Sequence, residues 1–477
     1  MKILFISANQ EKGFRPALPI GLVTLATQAR YENHEVFCLD LCFANSFHQL
    51  DNMLDCQIFD LIAVSLRNID QQSYLEPTFL LPAVRNLCEL CREKQEQAKI
   101  IVGGPAFTLM PVPMLRYLQA DFGLVGPAEN SFLLFLNKFE KNQDTTGIPG
   151  LVYSREGDYV YNSVDIDIIN DYGRFPFIDY NLYDQSYFSG TFKGPTPLTD
   201  ACVPILAKRG CPFSCIYCAN SHIACTKYNL KQPQTVVKEI EMLIDFGKAK
   251  RYEFADGAFN APAEHALAIC DLMASLNIHF PWNCMFTPAQ VTENLVCQMK
   301  KTGCDLVEMG TESGSDHILK NLQKPFLVKH IRQSHYLIDQ FDITAEHCIF
   351  LGSPGENYDS IMQTFDLMEE LVTGNHHLYI TFGYRIFKNT PIYDLALDRN
   401  IITAADDLLV PAYFVEPDLL NDERLLEIIQ ERVINHENWY LWWGLPKISL
   451  QERIADVQKE YAKLNRLYKM LMQEEQV

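Results

Sequence analysis

Three cysteines, Cys211, Cys215 and Cys218, stand in C-x3-C-x2-C spacing and constrain this chain more than any other feature. The apolar run 202–207 before them predicts a β-strand, and the glycine and proline that flank the first cysteine predict that this strand turns into a loop. Three thiolates on one tight loop bind three irons of a cubane and leave the fourth iron open to a small molecule. The motif therefore predicts an iron–sulfur site at the end of a strand.

Two other interpretations of closely spaced cysteines stay open at this point. A zinc site has four ligands, commonly in two C-x2-C pairs. Here the nearest further thiol is Cys225, and no second pair follows at a suitable distance. The three cysteines also fit ordinary buried side chains. Their position on one loop after a strand favours the cluster.

The motif resembles that of the radical S-adenosylmethionine (SAM) superfamily. In that superfamily the open iron chelates the amino and carboxylate groups of SAM, and an electron from the cluster breaks a C–S bond to give a 5′-deoxyadenosyl radical. The resemblance implies that Cys211, Cys215 and Cys218 hold a [4Fe–4S] cluster. It also implies that Tyr217, the aromatic residue before the third cysteine, packs near the adenine of SAM.

Length and charge limit the possible classes of protein. The 477 residues suffice for two or three domains. A formal net charge of −20 argues against binding to nucleic acid or to anionic membranes. Fifteen cysteines in so long a chain do not suggest a disulfide scaffold. Together with the cluster motif, they predict that the protein resides in a reducing cytoplasm. Neither a signal peptide nor a membrane span is expected.

The first 145 residues alternate apolar strand-like runs with amphipathic helical patterns. This alternation predicts an α/β domain with a doubly wound, Rossmann-like parallel sheet. The strands are expected near residues 2–7, 35–40, 61–66, 99–103 and 121–125, with helices such as 20–31, 79–94 and 114–119 between them. In such sheets ligands bind at the carboxyl ends of the strands.

Small residues follow several of these predicted strands, and glycine lets a backbone approach a large flat ligand closely. The G-x-G-x-x-G pattern of dinucleotide-binding sheets is missing. Instead, the segments 19–22, 34–36, 103–105 and 126–129 resemble the cobalamin-binding domain of B12-dependent radical SAM enzymes. The resemblance implies bound cobalamin with contacts from four residues: Ser65, Gly103, Gly104 and Gly126. A Rossmann-like domain without a ligand is the alternative.

One position departs from the cobalamin-binding pattern. Some of these domains ligate cobalt through the histidine of a D-x-H-x-x-G motif. Here Asp40 is followed by Leu41 and Cys42, and His48 is out of register, which favours a surface position for it. We therefore expect base-off cobalamin without a histidine ligand.

Residues 146–195 show little periodicity and predict a connector that includes a small hairpin near 148–158. Strands and helices alternate again in 196–395. Six strand-like runs, each followed by a helical pattern, fit the partial (β/α)6 barrel that the resemblance implies. They lie near residues 203–207, 251–254, 282–286, 306–309, 345–350 and 378–382.

The ends of the predicted barrel strands carry residues suited to SAM, because barrel chemistry lies at the carboxyl ends of the strands. Carboxylates there can receive the ammonium group, the ribose hydroxyls or the sulfonium charge. We expect Asp256 near the methionine end of SAM, and Glu308 or Glu312 near its ribose or sulfonium. Glu356 fits either a SAM contact or a plain turn before a helix.

The remaining segment, 396–477, is predicted to be helical. Three of the four tryptophans of the chain fall within 439–443. This segment fits a lid over an apolar substrate, a packing contact onto the barrel, or a contact with a membrane interface, and packing is favoured.

The combined resemblance predicts a B12-dependent radical SAM enzyme. Its expected reaction is methylation of an unactivated carbon by way of methylcobalamin and a 5′-deoxyadenosyl radical, with a place in natural-product biosynthesis. Ring contraction, cyclisation or oxidation without methyl transfer is the alternative within the family. A cluster-bearing binding or electron-transfer protein is the alternative outside it. The expected partners are a small-molecule or peptide substrate and a low-potential electron donor such as flavodoxin or ferredoxin.

Overall fold

The computed structural model of the chain describes residues 1–11, 16–43, 46–163, 175–189, 200–223, 225–441 and 449–474. The strands are β1 (Lys2–Ser7), β2 (Glu35–Asp40), β3 (Leu61–Ser65), β4 (Lys99–Gly103), β5 (Phe122–Leu124), β6 (Leu151–Arg155), β7 (Asp158–Tyr161), β8 (Cys202–Ile205), β9 (Lys208–Arg209), β10 (Asn229–Leu230), β11 (Arg251–Phe254), β12 (Trp282–Phe286), β13 (Cys304–Glu312), β14 (Thr344–Leu351), β15 (His377–Phe382), β16 (Tyr384–Arg385), β17 (Tyr413–Phe414) and β18 (Trp439–Leu441).

Helices connect most of these strands. They are α1 (Ile20–Tyr31), α2 (Ser46–Cys56), α3 (Leu81–Lys94), α4 (Pro105–Leu109), α5 (Pro111–Leu118), α6 (Glu129–Glu140), α7 (Ser186–Ser189), α8 (Asn220–Ile223), α9 (Pro233–Phe246), α10 (Ala263–Ser275), α11 (Glu293–Lys301), α12 (Asp316–Asn321), α13 (Val328–Gln340), α14 (Tyr358–Leu371), α15 (Pro391–Asp398), α16 (Pro417–Asn421), α17 (Glu423–Ile434) and α18 (Leu450–Glu474).

The first sheet has the strand order β2-β1-β3-β4-β5-β6-β7. Strands β1 to β5 pair in parallel, and helices connect them. The predicted doubly wound α/β domain is confirmed. The order 2-1-3-4-5 is that of flavodoxin-like folds, whose ligand crevice opens between β1 and β3, where the winding of the chain reverses.

The predicted hairpin forms from β6 and β7, and it belongs to the first sheet. Strand β6 pairs antiparallel with β5, and β7 pairs antiparallel with β6. The sheet therefore extends beyond residue 145, where the sequence predicts that the first domain ends. The rest of the predicted connector is irregular apart from one 3-10 turn and α7, and its residues 164–174 and 190–195 lie outside the described residues.

The second sheet has the order β18-β15-β14-β13-β12-β11-β8, and all its strands are parallel. Six of these strands are those predicted for the partial barrel. The seventh, β18, comes from the segment predicted to be helical. Trp439 of β18 is buried, with its ring centroid 5.7 Å from that of Phe365, which agrees with the favoured packing interpretation. Trp442 and Trp443 lie outside the described residues.

One apolar core runs between the two sheets. It contains Phe5 and Ile101 of the first sheet and Val203 and Trp282 of the second, joined by side chains such as Tyr183 of the connecting segment. This continuity fixes the two sheets relative to each other. Among the described residues, no helix has both the length and the apolar character that crossing a membrane requires.

Candidate functional site

The cysteine loop starts from a tight backbone turn. After β8 the chain forms β9, which pairs antiparallel with β10. Gly210 follows β9 with φ +84°, and a Cβ at this position would lie 2.0 Å from the carbonyl oxygen of Lys227. The amide of Cys211 then donates to the carbonyl of Cys225 at 3.1 Å. Only glycine fits this turn, so the backbone fixes where the loop begins.

The three thiols of the loop lie close enough to one another for their charges to interact. The amide of Cys218 donates to the carbonyl of Cys215 at 3.1 Å, which folds the loop back on itself. Cys211 and Cys215 are half-buried and Cys218 keeps exposed surface, yet burial raises the pKa of all three thiols. The three thiols are therefore partly shielded from water and still keep accessible surface.

A buried polar group lies beside the cysteine loop. Lys324 donates from Nζ to Glu312 Oε1 at 3.0 Å and to the Tyr217 hydroxyl at 3.2 Å. Tyr217 in turn donates to Glu312 Oε1 at 2.7 Å. The side chains of Lys324 and Glu312 are 9% and 6% exposed. The structure thus brings two of the predicted SAM contacts together and adds a lysine that the sequence analysis missed.

The charge of Lys324 acts on the thiols. Burial is the largest effect on the Cys215 thiol, and it raises the pKa. The Lys324 ammonium lowers that pKa, and its effect exceeds that of the Glu312 carboxylate, which raises it. The same order holds at Cys218. Burial outweighs the ammonium, so the pKa of both thiols stays above its ordinary value, and Lys324 offsets only part of the cost of forming a thiolate here.

Asp256 lies at the base of the loop. Its Oδ1 accepts hydrogen bonds from the amides of Ala207 and Lys208 at 2.9 and 3.1 Å, and its Oδ2 accepts from Lys208 Nζ at 3.2 Å. Both side chains of the ion pair are fully buried. Asp256 therefore anchors the chain that leads into the cysteine loop, and its contact with SAM stays a prediction.

Two further glutamates follow the predicted barrel strands. Glu308 lies on β13 in register with Glu346 of β14, and both carboxylates add to the effect of burial in raising the pKa of Cys348. Glu356 accepts hydrogen bonds at Oε2 from the amides of Gly352 and Ser353, at 2.5 and 3.1 Å. Burial raises the pKa of Glu356 to about 8. The structure thus gives Glu356 the part of a turn-forming residue.

A row of short polar residues and glycine marks the carboxyl edge of the first sheet. The parallel registers align Asp40, Ser7, Ser65 and Gly103 across neighbouring strands. Ser7 and Ser65 belong to β1 and β3, between which a flavodoxin-like sheet opens its crevice. Gly126 lies beyond β5, and its amide donates to Thr108 Oγ1 at 2.9 Å.

The connecting segment closes the end of β2. Tyr187 donates from its hydroxyl to Asp40 Oδ2 at 2.7 Å, and the amide of Cys42 donates to Asp40 Oδ1 at 3.0 Å. Burial raises the pKa of Asp40 to about 6. His48 is exposed on α2, as predicted, with Nε2 3.2 Å from Asn52 Nδ2.

The carboxyl edge of the first sheet and the cysteine loop lie against each other. Helix α4, which follows Gly104, contacts α8, which follows Cys218. Arg209, two residues before the first cysteine, forms a partly buried ion pair with Glu129 at the start of α6. Two predicted ligand sites therefore share one region of the protein.

The residues of this region fit the expected cofactors. Three cysteines on one loop next to a buried cation suit a thiolate-bound iron–sulfur cluster in their chemistry. Among the residues that the structure describes, no three such side chains are arranged as a metal site, so ligation by these cysteines stays a prediction of the motif. The short side chains of Ser7 and Ser65 and the missing side chain of Gly103 leave the sheet edge open to a broad ligand. Lys208 and Lys324 are the residues of the site that the sequence analysis missed. Lys208 lies three residues before the cysteine motif, whereas nothing in the sequence singles out Lys324.

Comparisons with known proteins agree with both halves of the site. Residues 15–136 match the model of the B12 binding domain, and residues 205–368 match that of the radical SAM superfamily. An uncharacterised methyltransferase of Pyrococcus horikoshii is 22% identical over 84% of each chain. The anaerobic magnesium-protoporphyrin IX monomethyl ester cyclase of Cereibacter sphaeroides is 22% identical over 67% of this chain and 52% of its own.

A solved structure shows the same fold. It is the radical SAM methyltransferase TsrM from Kitasatospora setae, with cobalamin and a [4Fe–4S] cluster bound. The TM-score is 0.79, the sequence identity is 18%, and the match covers 98% of this chain and 99% of the other. The order of domains and the α/β architecture are therefore shared.

Proposed function

We propose that this chain, which belongs to the cobalamin-dependent radical SAM enzymes, methylates an unactivated carbon of a small-molecule or peptide substrate. Its cofactors are a [4Fe–4S] cluster, SAM and cobalamin. When bound, the cluster and SAM supply a 5′-deoxyadenosyl radical, and cobalamin supplies the methyl group. The work of the protein is to hold these groups close together and away from water.

The contact between α4 and α8 is the observation that carries the proposal. It sets the carboxyl edge of the first sheet against the loop of Cys211, Cys215 and Cys218. A substrate between these two surfaces is in reach of both reactive groups at once, and such positioning replaces encounters in solution. The apolar core that continues between the sheets keeps that geometry rigid and limits the access of water.

The proposed roles of the residues follow from their positions. Cys211, Cys215 and Cys218 bind the cluster, and Tyr217 with Glu312 borders the SAM site. Glu308 lies on β13, four residues before Glu312, and a ribose or sulfonium group is its proposed partner. Asp256 supports the loop through Lys208 and is the proposed neighbour of the methionine end. The residues proposed for cobalamin are Ser65, Gly103, Gly104 and Gly126.

The proposed division of the chain keeps the predicted boundaries, with a cobalamin-binding domain at 1–145, a connector at 146–195, a partial barrel at 196–395 and a C-terminal region at 396–477. The hairpin β6–β7 extends the first sheet into the connector. A low-potential donor such as flavodoxin or ferredoxin is the proposed source of electrons.

The relatives support methylation and also name its rival. The first relative is called a methyltransferase and the solved structure is a methyltransferase, whereas the second relative is called a cyclase. A radical cyclisation, ring contraction or oxidation without methyl transfer is therefore the second candidate for this chain.

A test of the proposal does not need the substrate. The protein, purified without oxygen, is incubated with hydroxocobalamin, a strong reductant and SAM labelled on its methyl group. We expect the label to be recovered with the extracted cobalamin and 5′-deoxyadenosine to be released. The variants Cys211→Ala, Cys215→Ala and Cys218→Ala are expected to lose iron and to stop 5′-deoxyadenosine release, and Cys88→Ala and Cys91→Ala serve as controls because these buried residues belong to α3.

The two products separate the candidates. Release of 5′-deoxyadenosine without label on cobalamin supports the cyclisation or oxidation reading. Full iron content and SAM cleavage in all three loop variants would show that the cluster lies elsewhere.

A further inference from the structure

A buried lysine stands beside the proposed cluster ligands and has no part in the proposal above. Lys324 follows α12. Its ammonium lies 3.2 Å from the hydroxyl of Tyr217, although the two residues are 107 positions apart in the sequence. Its side chain is 9% exposed. An ammonium group loses much hydration when it is buried, so such a residue persists where anionic neighbours compensate the loss.

The neighbours of Lys324 are of two kinds. One is the Glu312 carboxylate, whose Oε1 lies 3.0 Å from Nζ. The other is the cysteine loop itself, because Nζ lies 3.2 Å from the hydroxyl of Tyr217, which stands between Cys215 and Cys218. A second buried lysine, Lys208, lies three residues before Cys211, and its ammonium is held by Asp256 at 3.2 Å.

Glu312 opposes the charge of Lys324, and its Oε1 accepts from Lys324 Nζ at 3.0 Å and from the Tyr217 hydroxyl at 2.7 Å. The aromatic rings of Tyr217 and Phe326 lie 5.6 and 5.3 Å from Nζ and pack around the ammonium. The ammonium is therefore held beside the cysteine loop.

The backbone fixes Lys324 relative to the loop. The amide of Ile216 donates to the carbonyl of Leu322 at 3.2 Å, and the amide of Lys324 donates to the carbonyl of Leu319 at 2.9 Å. These two bonds connect the end of α12 to the cysteine loop. A charge held at a fixed distance from the cluster shifts the free energies of its oxidised and reduced states by different fixed amounts, because the two states differ in charge.

We propose that Lys324 is a positioning residue that raises the reduction potential of the cluster bound by Cys211, Cys215 and Cys218. One-electron reduction adds a negative charge to the cluster, and a buried cation nearby stabilises the reduced state more than the oxidised state. Glu312 opposes this effect and sets its size. The inference rests on the proposed function, because it requires the cluster on this loop.

The experiment measures the potential of the cluster and does not depend on turnover. The cluster-loaded protein is titrated with reductant in the presence of redox mediators, and the reduced cluster is followed by electron paramagnetic resonance. In Lys324→Met, we expect the equilibrium constant for one-electron reduction to fall about tenfold, which equals about 59 mV. Lys324→Arg is expected to stay near the wild-type potential, because it keeps the charge.

Two further variants complete the design. Lys320→Met removes an exposed lysine of α12 and is expected to leave the potential unchanged. Glu312→Gln removes the opposing carboxylate and is expected to raise the potential. If Lys324→Met fails to retain iron, the measurement on Glu312→Gln tests the inference instead. A reduction potential in Glu312→Gln at or below that of the wild type overturns it.

The outcomes separate this inference from the proposed function. Wild-type protein that holds no cluster overturns both. A cluster whose potential is the same in wild type, Lys324→Met and Glu312→Gln overturns the role of Lys324 alone. A lower reduction potential in Lys324→Met that is equally low in Lys324→Arg shows a structural role, and it also overturns the electrostatic role of Lys324.

Discussion

Arg385 donates from Nε to Asp70 Oδ2 at 2.8 Å and joins the two halves of the molecule through an ion pair that is 2% and 1% exposed. Arg385 follows the last barrel strand, and Asp70 follows β3 of the first sheet. Tyr413 donates to the other carboxylate oxygen at 3.0 Å. A buried pair with both carboxylate oxygens bonded resists separation, so it holds the first sheet against the barrel.

The variant Asp70→Asn tests this link. It leaves the Arg385 guanidinium buried without a counter-charge, and the loss of one partner of a buried pair costs roughly 3–5 kcal/mol. We expect a clearly lower unfolding temperature, measured by calorimetry. The control is Arg30→Met, which breaks an ion pair of equal length with Asp179 but whose arginine is 58% exposed. Equal shifts in both variants would contradict the role of the buried pair.

Substitutions at Gly103 and Gly104 distinguish an effect on the packing of the sheet from an effect on cofactor binding. A Cβ on Gly104, whose φ is +99°, would lie 2.4 Å from the carbonyl oxygen of Leu66, so Gly104→Ala is expected to destabilise the sheet itself. A Cβ on Gly103 meets its nearest neighbour, the carbonyl oxygen of Leu124, at an ordinary 3.5 Å. We therefore expect Gly103→Ala to fold normally.

The Gly103→Ala variant then reports on the cofactor. Its methyl group points to the edge where we propose the corrin, so we expect cobalamin to bind at least about tenfold more weakly, which equals about 1.4 kcal/mol. Retention of hydroxocobalamin on gel filtration and equilibrium dialysis measure this. Gly147→Ala is the matched control, because a Cβ there meets nothing within 4 Å. Unchanged affinity in Gly103→Ala would place the cofactor away from β4.

The sequence predicted the features that local patterns encode. The alternation of strands and helices predicted both sheets, and the flanking glycine and proline predicted the loop that carries Cys211, Cys215 and Cys218 after a strand. It did not predict β18, because three residues are too few for a periodic pattern. It did not find Lys324 either. A lysine in a short loop shows no sequence sign of its burial, which only the fold creates.

Asp256 shows a second limit of sequence-based prediction. Its place after a barrel strand pointed to a ligand contact, yet its carboxylate is bonded to Lys208 and to two amides of its own chain. A lone acidic residue at a strand end fits a ligand or an internal cation equally well, and the sequence does not state which partner is nearer.

Buried histidines predict how stability depends on pH. Thr311 Oγ1 lies 2.7 Å from His347 Nδ1, and His347 Nε2 lies 3.0 Å from His335 Nδ1. The ring of His376 contacts His335 with centroids 4.6 Å apart. Burial, and next the charge of His376, lower the pKa of His335 to about 4, although Asp339 and Glu370 act in the opposite direction.

The unfolded chain therefore binds a proton at His335 more readily than the folded chain between pH 6.5 and about 4. Above this window His335 is neutral in both the folded and the unfolded chain. As the pH drops through the window, the free energy of unfolding falls, by on the order of 3 kcal/mol over the whole window. We expect the unfolding temperature of the wild type to fall between pH 8 and 5.5 more steeply than that of His335→Gln. Parallel curves would contradict the assignment to His335.

The last prediction concerns the ratio of products, because methylation consumes two molecules of SAM in different ways. One SAM gives up its methyl group and leaves as S-adenosylhomocysteine, and the other is cleaved and leaves as 5′-deoxyadenosine after taking a hydrogen atom. The contact of α4 with α8 and the ion pair of Arg209 with Glu129 hold the two sites together, so we expect both events once per turnover.

With substrate and a low-potential reductant, we therefore expect equal amounts of the two products, measured by liquid chromatography and mass spectrometry. A label on the methyl group of SAM is expected in the substrate-derived product. Arg209→Met breaks the ion pair next to the cysteine loop, and we expect it to release more 5′-deoxyadenosine than S-adenosylhomocysteine, since the radical then forms without a methyl group in reach. Release of 5′-deoxyadenosine with an altered but unlabelled product would replace methylation by the cyclisation or oxidation reading.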